Sequence, residues 1–169
     1  MSQSDSTWSF VDEGNETPKG FLFAGISAGL KASNKKDLAL ILAPEGSIFS
    51  GMFTQSIVRA SCVDICEERI KTTSGFVRAI LINSGQANAC TGNLGIQHFQ
   101  IATGKIAELL GIKEEEVLMC STGVIGVPIQ INDLVKNLPN LVSDLKGNNF
   151  ENAAEAILTT DLTLKKVSI

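Results

Sequence analysis

The run Phe76-Val77-Arg78-Ala79-Ile80-Leu81-Ile82 is followed directly by Asn83-Ser84-Gly85, so an apolar segment changes abruptly into a polar one. The apolar run predicts a strand, and the polar residues predict a loop at its end. Upstream, residues 21–30 and 37–43 predict two more strands, joined by a polar turn at 33–36. Because polar groups at a strand end orient ligands by hydrogen bonds, we expect the chemistry of this chain there.

The remaining segments predict further strands and helices. Residues 62–66 alternate as in a half-buried strand, and residues 116–119 predict another strand. Residues 131–145 predict a helix interrupted at Pro139, and residues 150–158 predict a short helix. One more helix, ending at Gly111, is predicted from apolar positions at steps of three or four, namely Ile96, Phe99, Ala102, Thr103, Ile106 and Leu110.

The order of these elements predicts the fold class. Strands come in consecutive runs before the helices, which favours an α+β fold, a layered α/β sandwich with mixed sheets. Residues 1–17 are polar and acidic, and they predict a flexible N-terminal arm. Residues 18–169 are long enough for a single domain with its own core.

Composition excludes several classes of partner. With 14 Lys and Arg against 18 Asp and Glu, the net charge is -4, so the chain lacks the basic surface that nucleic acid requires. No apolar run approaches the length of a membrane span, and the N-terminal residues do not resemble a secretory signal. We therefore expect a cytoplasmic protein that binds neither nucleic acid nor membrane.

The cysteines and the single histidine do not predict a metal site. Cys62, Cys66, Cys90 and Cys120 lack paired metal-ligand spacing, and His98 alone leaves a zinc site short of ligands. Buried, reduced thiols are the simpler interpretation of all four cysteines. His98 falls at the edge of the predicted helix face, where we expect it to be partly exposed, and nothing in the sequence pairs it with Cys120 as a general base.

Three polar clusters at predicted strand ends are the candidate site. Cys120-Ser121-Thr122-Gly123-Val124-Ile125-Gly126 predicts a turn whose N–H groups and hydroxyls bind an anion or an oxyanion. Residues 83–92 and Thr159-Thr160-Asp161 have similar hydroxyl, amide and glycine content. Residues 114–116 and 35–37 are better explained as exposed charged turns. These clusters stabilise negative charge, yet the chain offers no convincing nucleophile and base.

Several motifs together resemble the ornithine acetyltransferase family, the bifunctional glutamate N-acetyltransferases of arginine biosynthesis. The resemblance runs from about Lys19 to Asp161 in the family's order. It is carried by residues 21–31, Lys36-Asp37-Leu38-Ala39-Leu40-Ile41, Gly51-Met52-Phe53-Thr54, residues 83–92, Ser121-Thr122-Gly123-Val124-Ile125-Gly126 and Thr159-Thr160-Asp161. The resemblance implies an enzyme that moves acetyl from N-acetylornithine to glutamate, with acetyl-CoA as a further donor in many members. It implies no metal or prosthetic group.

The resemblance also implies roles for particular residues. Thr122 and Gly123 correspond to the family's oxyanion hole, in agreement with the chemistry of their neighbourhood. A threonine of the Thr-Thr-Asp motif contacts substrate in the family, and Thr159 is favoured over Thr160. The family's nucleophile is a threonine freed when the precursor cleaves itself into α and β chains, and no residue of this chain corresponds to it. Gln86 stands where the family frequently has asparagine.

The C-terminal end departs from the family pattern. Family α chains continue past Thr-Thr-Asp to a lysine loop and an Ala-Thr cleavage junction, neither of which is present here. We therefore expect an α portion, truncated before the cleavage site, that is inactive alone and completes its core with a β chain in an α/β hetero-oligomer. An uncovered apolar face on the isolated chain is the corollary. The alternative is a non-catalytic module that keeps the fold and binds a small molecule or another protein.

Overall fold

A computed structural model describes residues 17–167 of the chain, which form one mixed sheet with helices on both faces. The strands are β1 (Leu22–Ile26), β2 (Leu38–Leu42), β3 (Ala79–Gln86) and β4 (Val117–Val124). The helices are α1 (Ser61–Thr72), α2 (Gly92–Leu110), α3 (Ile131–Ser143) and α4 (Phe150–Ala156), with a 3₁₀ turn at Glu114–Glu116.

The sheet has the order β1-β2-β3-β4 and combines both strand directions. β1 with β2 and β2 with β3 are antiparallel, whereas β3 and β4 are parallel. A parallel pair requires a long crossover connection, and α2 provides it. The expected α+β class with a mixed sheet is confirmed.

Alternating side chains of the sheet enter two different apolar layers. Leu38 and Leu40 of β2 lie in the larger cluster, with buried residues of α1, α2 and α3. Ala39, between them, faces the opposite side and packs with Ala153 and Ala156 of α4. The period of two along a strand therefore builds a layered α/β sandwich from one short apolar run.

α4 approaches the sheet very closely at Gly25. A Cβ atom built on Gly25 would lie 2.0 Å from the Asn152 carbonyl oxygen and 2.6 Å from the Ala153 nitrogen. Only glycine allows the helix backbone to rest on β1 in this way. The position of α4 matters for the site, because the Thr-Thr-Asp motif follows it directly.

The predicted strand at residues 62–66 is wrong. This segment is the first part of α1, whose buried residues are Cys62 and Cys66. Two buried positions that are four residues apart fit one face of a helix. They also fit one face of a strand, because four is a multiple of the strand period of two. Only packing against α2 and β4 distinguishes the alternatives.

The predicted break at Pro139 is also wrong, because α3 continues through this residue. Leu134, Leu138 and Leu141 lie on one face of the helix and are fully buried. Burial of three leucines outweighs the cost of about 3 kcal/mol that an interior proline imposes. The helices predicted at 96–111 and 150–158 are confirmed, with Gly111 in the left-handed conformation at the end of α2.

The turn at residues 35–37, predicted to be exposed, contains a fully buried carboxylate. Asp37 has no exposed surface, and its side chain accepts three backbone N–H bonds across the β1–β2 connection. The donors are Ala28 at 2.7 Å, Leu30 at 2.7 Å and Lys31 at 2.9 Å. Asp37 therefore fixes the backbone of residues 28–31, a role that its charged neighbours in sequence conceal.

The predicted arm at residues 1–17 lies outside the described residues except for Thr17, whose hydroxyl donates to the Gly147 carbonyl at 2.9 Å. The single domain predicted for residues 18–169 stays a prediction. Across residues 17–167, no helix combines the length and the apolar character needed to cross a bilayer.

Candidate active site

The parallel pairing of β3 with β4 brings two of the three polar clusters side by side. Ser84 lies opposite Thr122, and Gly85 lies opposite Gly123. Both clusters were predicted as loops, yet the strands continue to Gln86 and Val124. Each strand supplies the other's hydrogen-bond partners, so a polar, glycine-containing sequence stays extended here.

The third cluster reaches the same place through two hydrogen bonds. The Ser84 hydroxyl donates to the carbonyl of Ala156, the last residue of α4, at 2.5 Å. The Lys31 ammonium donates to the carbonyl of Leu158, also at 2.5 Å. Both bonds hold the segment after α4 against the end of the sheet, and Thr159 and Thr160 follow immediately.

A cavity of about 440 Å³ lies where the clusters meet. Its lining consists of Lys31, Gly85, Thr122, Gly123, Val124, Thr159 and Thr160. The four residues selected from the sequence, Thr122, Gly123, Thr159 and Thr160, thus surround one space. Their catalytic and substrate-binding roles stay predictions.

The backbones of β3 and β4 are in unusually close contact at the cavity. A Cβ atom built on Gly123 would lie 2.4 Å from both the carbonyl carbon and the carbonyl oxygen of Gly85. Gly123 also has a φ of +131°, a conformation that side chains rarely adopt. Glycine is therefore required at this position on two independent grounds.

β4 is the outer strand of the sheet, and its free edge is partly occupied by α1. The Val117 carbonyl accepts a hydrogen bond from Arg69, and the Met119 carbonyl accepts one from the Cys66 thiol. Outward-pointing backbone groups alternate along a strand, so the next ones belong to Ser121 and Gly123. We infer that the N–H of Gly123 points to the outer edge, beside the cavity.

Buried polar side chains lie behind this strand end. Gln86 donates from Nε2 to the Leu30 carbonyl at 2.9 Å, and Asn83 donates from Nδ2 to the Gln86 carbonyl at 3.0 Å. Asp37 holds the Leu30 loop in turn. Gln86, which departs from the family's frequent asparagine, thus links β3 to the β1–β2 connection. Sequence reasoning missed both Asp37 and Lys31, because the burial of Asp37 depends on how the β1–β2 connection folds and the Leu158 partner of Lys31 lies 127 residues away.

The one nucleophile and base pair weighed from the sequence, Cys120 with His98, is not formed. No hydrogen bond joins Cys120 to His98, whose Nδ1 atom is buried without a partner. The prediction that all four cysteines are buried is correct for Cys62 and Cys66 and wrong for Cys90 and Cys120, which are exposed.

Burial raises the pKa of the Cys66 thiol to about 12, so this thiol is unreactive near neutral pH. Among residues 17–167, no group of His, Cys, Asp and Glu side chains is arranged to hold a metal ion.

His98 is not at the exposed edge of α2 as predicted. Only 7% of its surface is exposed, whereas Ile96, predicted on the buried face, is 39% exposed. The buried face of α2 is therefore rotated toward His98 and Gly95. A Cβ atom on Gly95 would lie 2.2 Å from Thr91 Oγ1, 2.6 Å from Asn88 Oδ1 and 3.1 Å from Ser61 Oγ, so this side of α2 packs too closely for any other residue.

The burial of His98 predicts a loss of stability in acid. Desolvation lowers the pKa of the imidazole, so the unfolded chain binds a proton at a higher pH than the folded chain does. The stabilisation is complete above the ordinary histidine pKa of about 6.5 and declines as the pH falls below it. Urea unfolding of the wild-type chain and of His98→Gln, followed across this range, should show a smaller acid-induced loss in the variant. An equal loss in both would contradict the prediction.

Comparison with known proteins agrees with the geometry. A family model described as the ArgJ family matches residues 22–169. The arginine biosynthesis bifunctional protein ArgJ of Prochlorococcus marinus subsp. pastoris (strain MED4) is 73% identical over 159 residues, which are 94% of this chain and 40% of that protein. The protein of the same name from Synechocystis sp. (strain PCC 6803) is 46% identical over 160 residues, which are 94% of this chain and 38% of that protein. The chain thus spans about 40% of the length of these curated relatives.

A solved structure gives the corresponding three-dimensional match. The crystal structure of ornithine acetyltransferase complexed with ornithine, from Mycobacterium tuberculosis, superposes with a TM-score of 0.86 at 33% identity. The superposition covers 92% of this chain and 84% of that chain, so the two chains are similar in length.

Proposed function

Because the chain belongs to the ArgJ family, we propose that it is the α portion of an acetyltransferase that moves acetyl from N-acetylornithine to glutamate. The observation that carries this proposal is the cavity shared by Thr122, Gly123, Thr159 and Thr160, at the end of the outer strand β4. The ornithine complex of the Mycobacterium tuberculosis protein supports an ornithine derivative as substrate. Free cysteines at positions 62, 66, 90 and 120 suit a cytoplasmic location for the enzyme.

In the proposed reaction, a threonine hydroxyl supplied by the β portion attacks the acetyl carbonyl of N-acetylornithine. The C–N bond breaks, ornithine leaves with a proton on its amine, and the acetyl group stays on the threonine as an ester. The glutamate amine then attacks this ester, loses a proton and restores the threonine. In both steps the carbonyl oxygen becomes an oxyanion, for which the Thr122 hydroxyl and the Gly123 N–H are donors worth about 3 kcal/mol each.

Exposed apolar residues around the cavity support a second chain as partner. Five large apolar side chains at this end of the sheet line the cavities or lie close in sequence to residues that do, and between 43% and 97% of their surface is exposed: Val124, Ile125, Val127, Ile157 and Leu162. An apolar surface of this kind is costly in water and is usually covered in an assembly. We propose that the β portion covers it and carries the threonine to the cavity in an α/β hetero-oligomer.

The proposal is tested with a chimaera in which this chain replaces the matching segment of the 73%-identical relative. We expect the chimaera to convert N-acetylornithine and glutamate into ornithine and N-acetylglutamate, and intact mass to show a second chain that begins with threonine. The 169-residue chain alone should release no ornithine, since each threonine that lines its cavity lies within the chain and has no free α-amino group to act as its base. Turnover by the chain alone would refute the need for a β portion, and an inactive but folded chimaera would refute the proposal and favour a binding module. The same assay is repeated with acetyl-CoA in place of N-acetylornithine, to test acetyl-CoA as an additional donor.

A further inference from the structure

Lys31 occupies an unusual position between two cavities. It lines the 440 Å³ cavity that contains Thr122 and Gly123, and it also lines a neighbouring cavity of about 630 Å³. Thr159 is the other residue common to both linings. Among the residues that line the smaller cavity, Lys31 is the one that carries a charge.

The path of the Lys31 side chain runs along the strand end. Its Cγ atom lies 3.6 Å from the position that a Cβ atom on Gly85 would occupy. Gly85 is the direct neighbour of Gly123 across the β3–β4 ladder. The aliphatic stem therefore passes over the same backbone that forms the close contact at Gly123.

The ammonium group of Lys31 has one donor left for a ligand. It donates to the Lys36 carbonyl at 3.0 Å and to the Leu158 carbonyl at 2.5 Å, and an ammonium carries three N–H bonds. Neither partner is charged, and no ion pair to Lys31 is formed within residues 17–167. The nearby carboxylate of Asp37 is already occupied by three backbone N–H groups. Burial lowers the pKa of Lys31, which means that its positive charge is only partly compensated.

The other charges around the larger cavity are either paired or, in the case of Lys35, exposed to water. Lys36 forms a salt bridge with Glu155 at 2.5 Å, and Lys165 forms one with Asp161 at 2.8 Å. An anion that enters the smaller cavity therefore meets the uncompensated charge of Lys31 first. A carboxylate is the matching group, because it accepts a charge-assisted hydrogen bond and neutralises the ammonium.

We propose that Lys31 binds the α-carboxylate of the amino-acid substrate in the cavity that Thr122 and Gly123 line. This inference rests on the proposed function. N-acetylornithine and glutamate differ in their side chains but share the α-carboxylate, so one cation serves both half-reactions. The carboxylate is attached to the same carbon as the reacting nitrogen, and an anchor at Lys31 orients that nitrogen relative to the oxyanion donors.

The test combines removal of the cation with removal of the carboxylate. In the chimaera, Lys31→Met is compared with the wild type on N-acetylornithine and on mono-N-acetyl-1,4-diaminobutane, which is the same donor without its carboxylate. We expect Lys31→Met to lower kcat/KM for N-acetylornithine about 10- to 100-fold, chiefly through KM, since a hydrogen bond to a charged group is lost. With the decarboxylated donor, the variant and the wild type should agree within about twofold.

The matched control is Lys35→Met, which removes the same charge from an exposed residue that lines only the larger cavity. This variant should leave kcat/KM unchanged for both donors. Lys31→Gln also removes the charge but keeps an N–H donor for the backbone carbonyls. It replaces Lys31→Met if that variant folds poorly, and we expect the same loss of kcat/KM for N-acetylornithine.

Calorimetric binding of both donors is measured alongside turnover, so the preference for a carboxylate is determined even in a chimaera that transfers no acetyl. An inactive chimaera whose preference for N-acetylornithine depends on Lys31 would refute the proposed function and keep this inference. Equal losses on both donors in Lys31→Met, or equal binding of both donors by the wild type, would overturn the inference and leave Lys31 a structural role.

Discussion

Gly123→Ala should abolish most acetyl transfer in the chimaera. The new methyl group would lie 2.4 Å from the Gly85 carbonyl carbon and oxygen and 2.8 Å from the Gln86 nitrogen, all of them backbone atoms that cannot move aside separately. The φ of +131° adds strain for any residue with a side chain. β4 must therefore shift away from β3 at the point where the oxyanion donors lie. We expect kcat to fall by at least about 100-fold, the usual effect of losing one such donor.

The matched control for this prediction is Gly104→Ala, because a Cβ atom at Gly104 has nothing closer than 3.6 Å, the Glu114 carboxylate. Gly104 lies inside α2, so alanine should stabilise the chain by about 1 kcal/mol without changing kcat. Thr122→Val retains the side-chain shape and removes the hydroxyl, and it should lower kcat about 100-fold with unchanged thermal stability. Full activity in both Gly123→Ala and Thr122→Val would exclude an oxyanion hole at these residues.

Asp37→Asn should be among the most destabilising single substitutions in this chain. The carboxylate is fully buried and accepts from the N–H groups of Ala28, Leu30 and Lys31. The amide loses the negative charge, and its NH₂ group must face at least one of these donors. We expect the free energy of unfolding of the 169-residue chain, measured by urea titration, to fall by about 3 kcal/mol.

Asp133→Asn is the matched control, because Asp133 is exposed in the first turn of α3. Loss of the Asp133 charge should lower the free energy of unfolding by no more than about 0.5 kcal/mol, because this charge interacts only with the dipole of α3. In the chimaera, Asp37→Asn should also raise the KM for N-acetylornithine, since the loop that it holds carries Lys31 and the Leu30 carbonyl partner of Gln86. A stability change as small as that of the control would show that solvent or a neighbour replaces the three bonds.

Much of the fold is predictable from local sequence, because alternation and helical spacing are local properties. The strands at 22–26 and 38–42, the helix that ends at Gly111 and the α+β class all follow from such patterns. The two wrong secondary-structure predictions were instead decided by tertiary packing. Residues 62–66 fit two periods, and Pro139 breaks a helix only where packing does not compensate for it.

The sequence by itself determined the secondary structure of long periodic segments, the family resemblance and the four residues at the cavity, because each depends on residue type at short range. Tertiary structure alone decided that Gly85 and Gly123 are neighbours, that Asp37 is buried and that Lys31 lines the site. The reason is physical. Strand register and the Leu158 partner of Lys31 depend on groups that are distant in the chain, and the burial of Asp37 depends on the folded path of the β1–β2 connection, none of which local residue patterns encode.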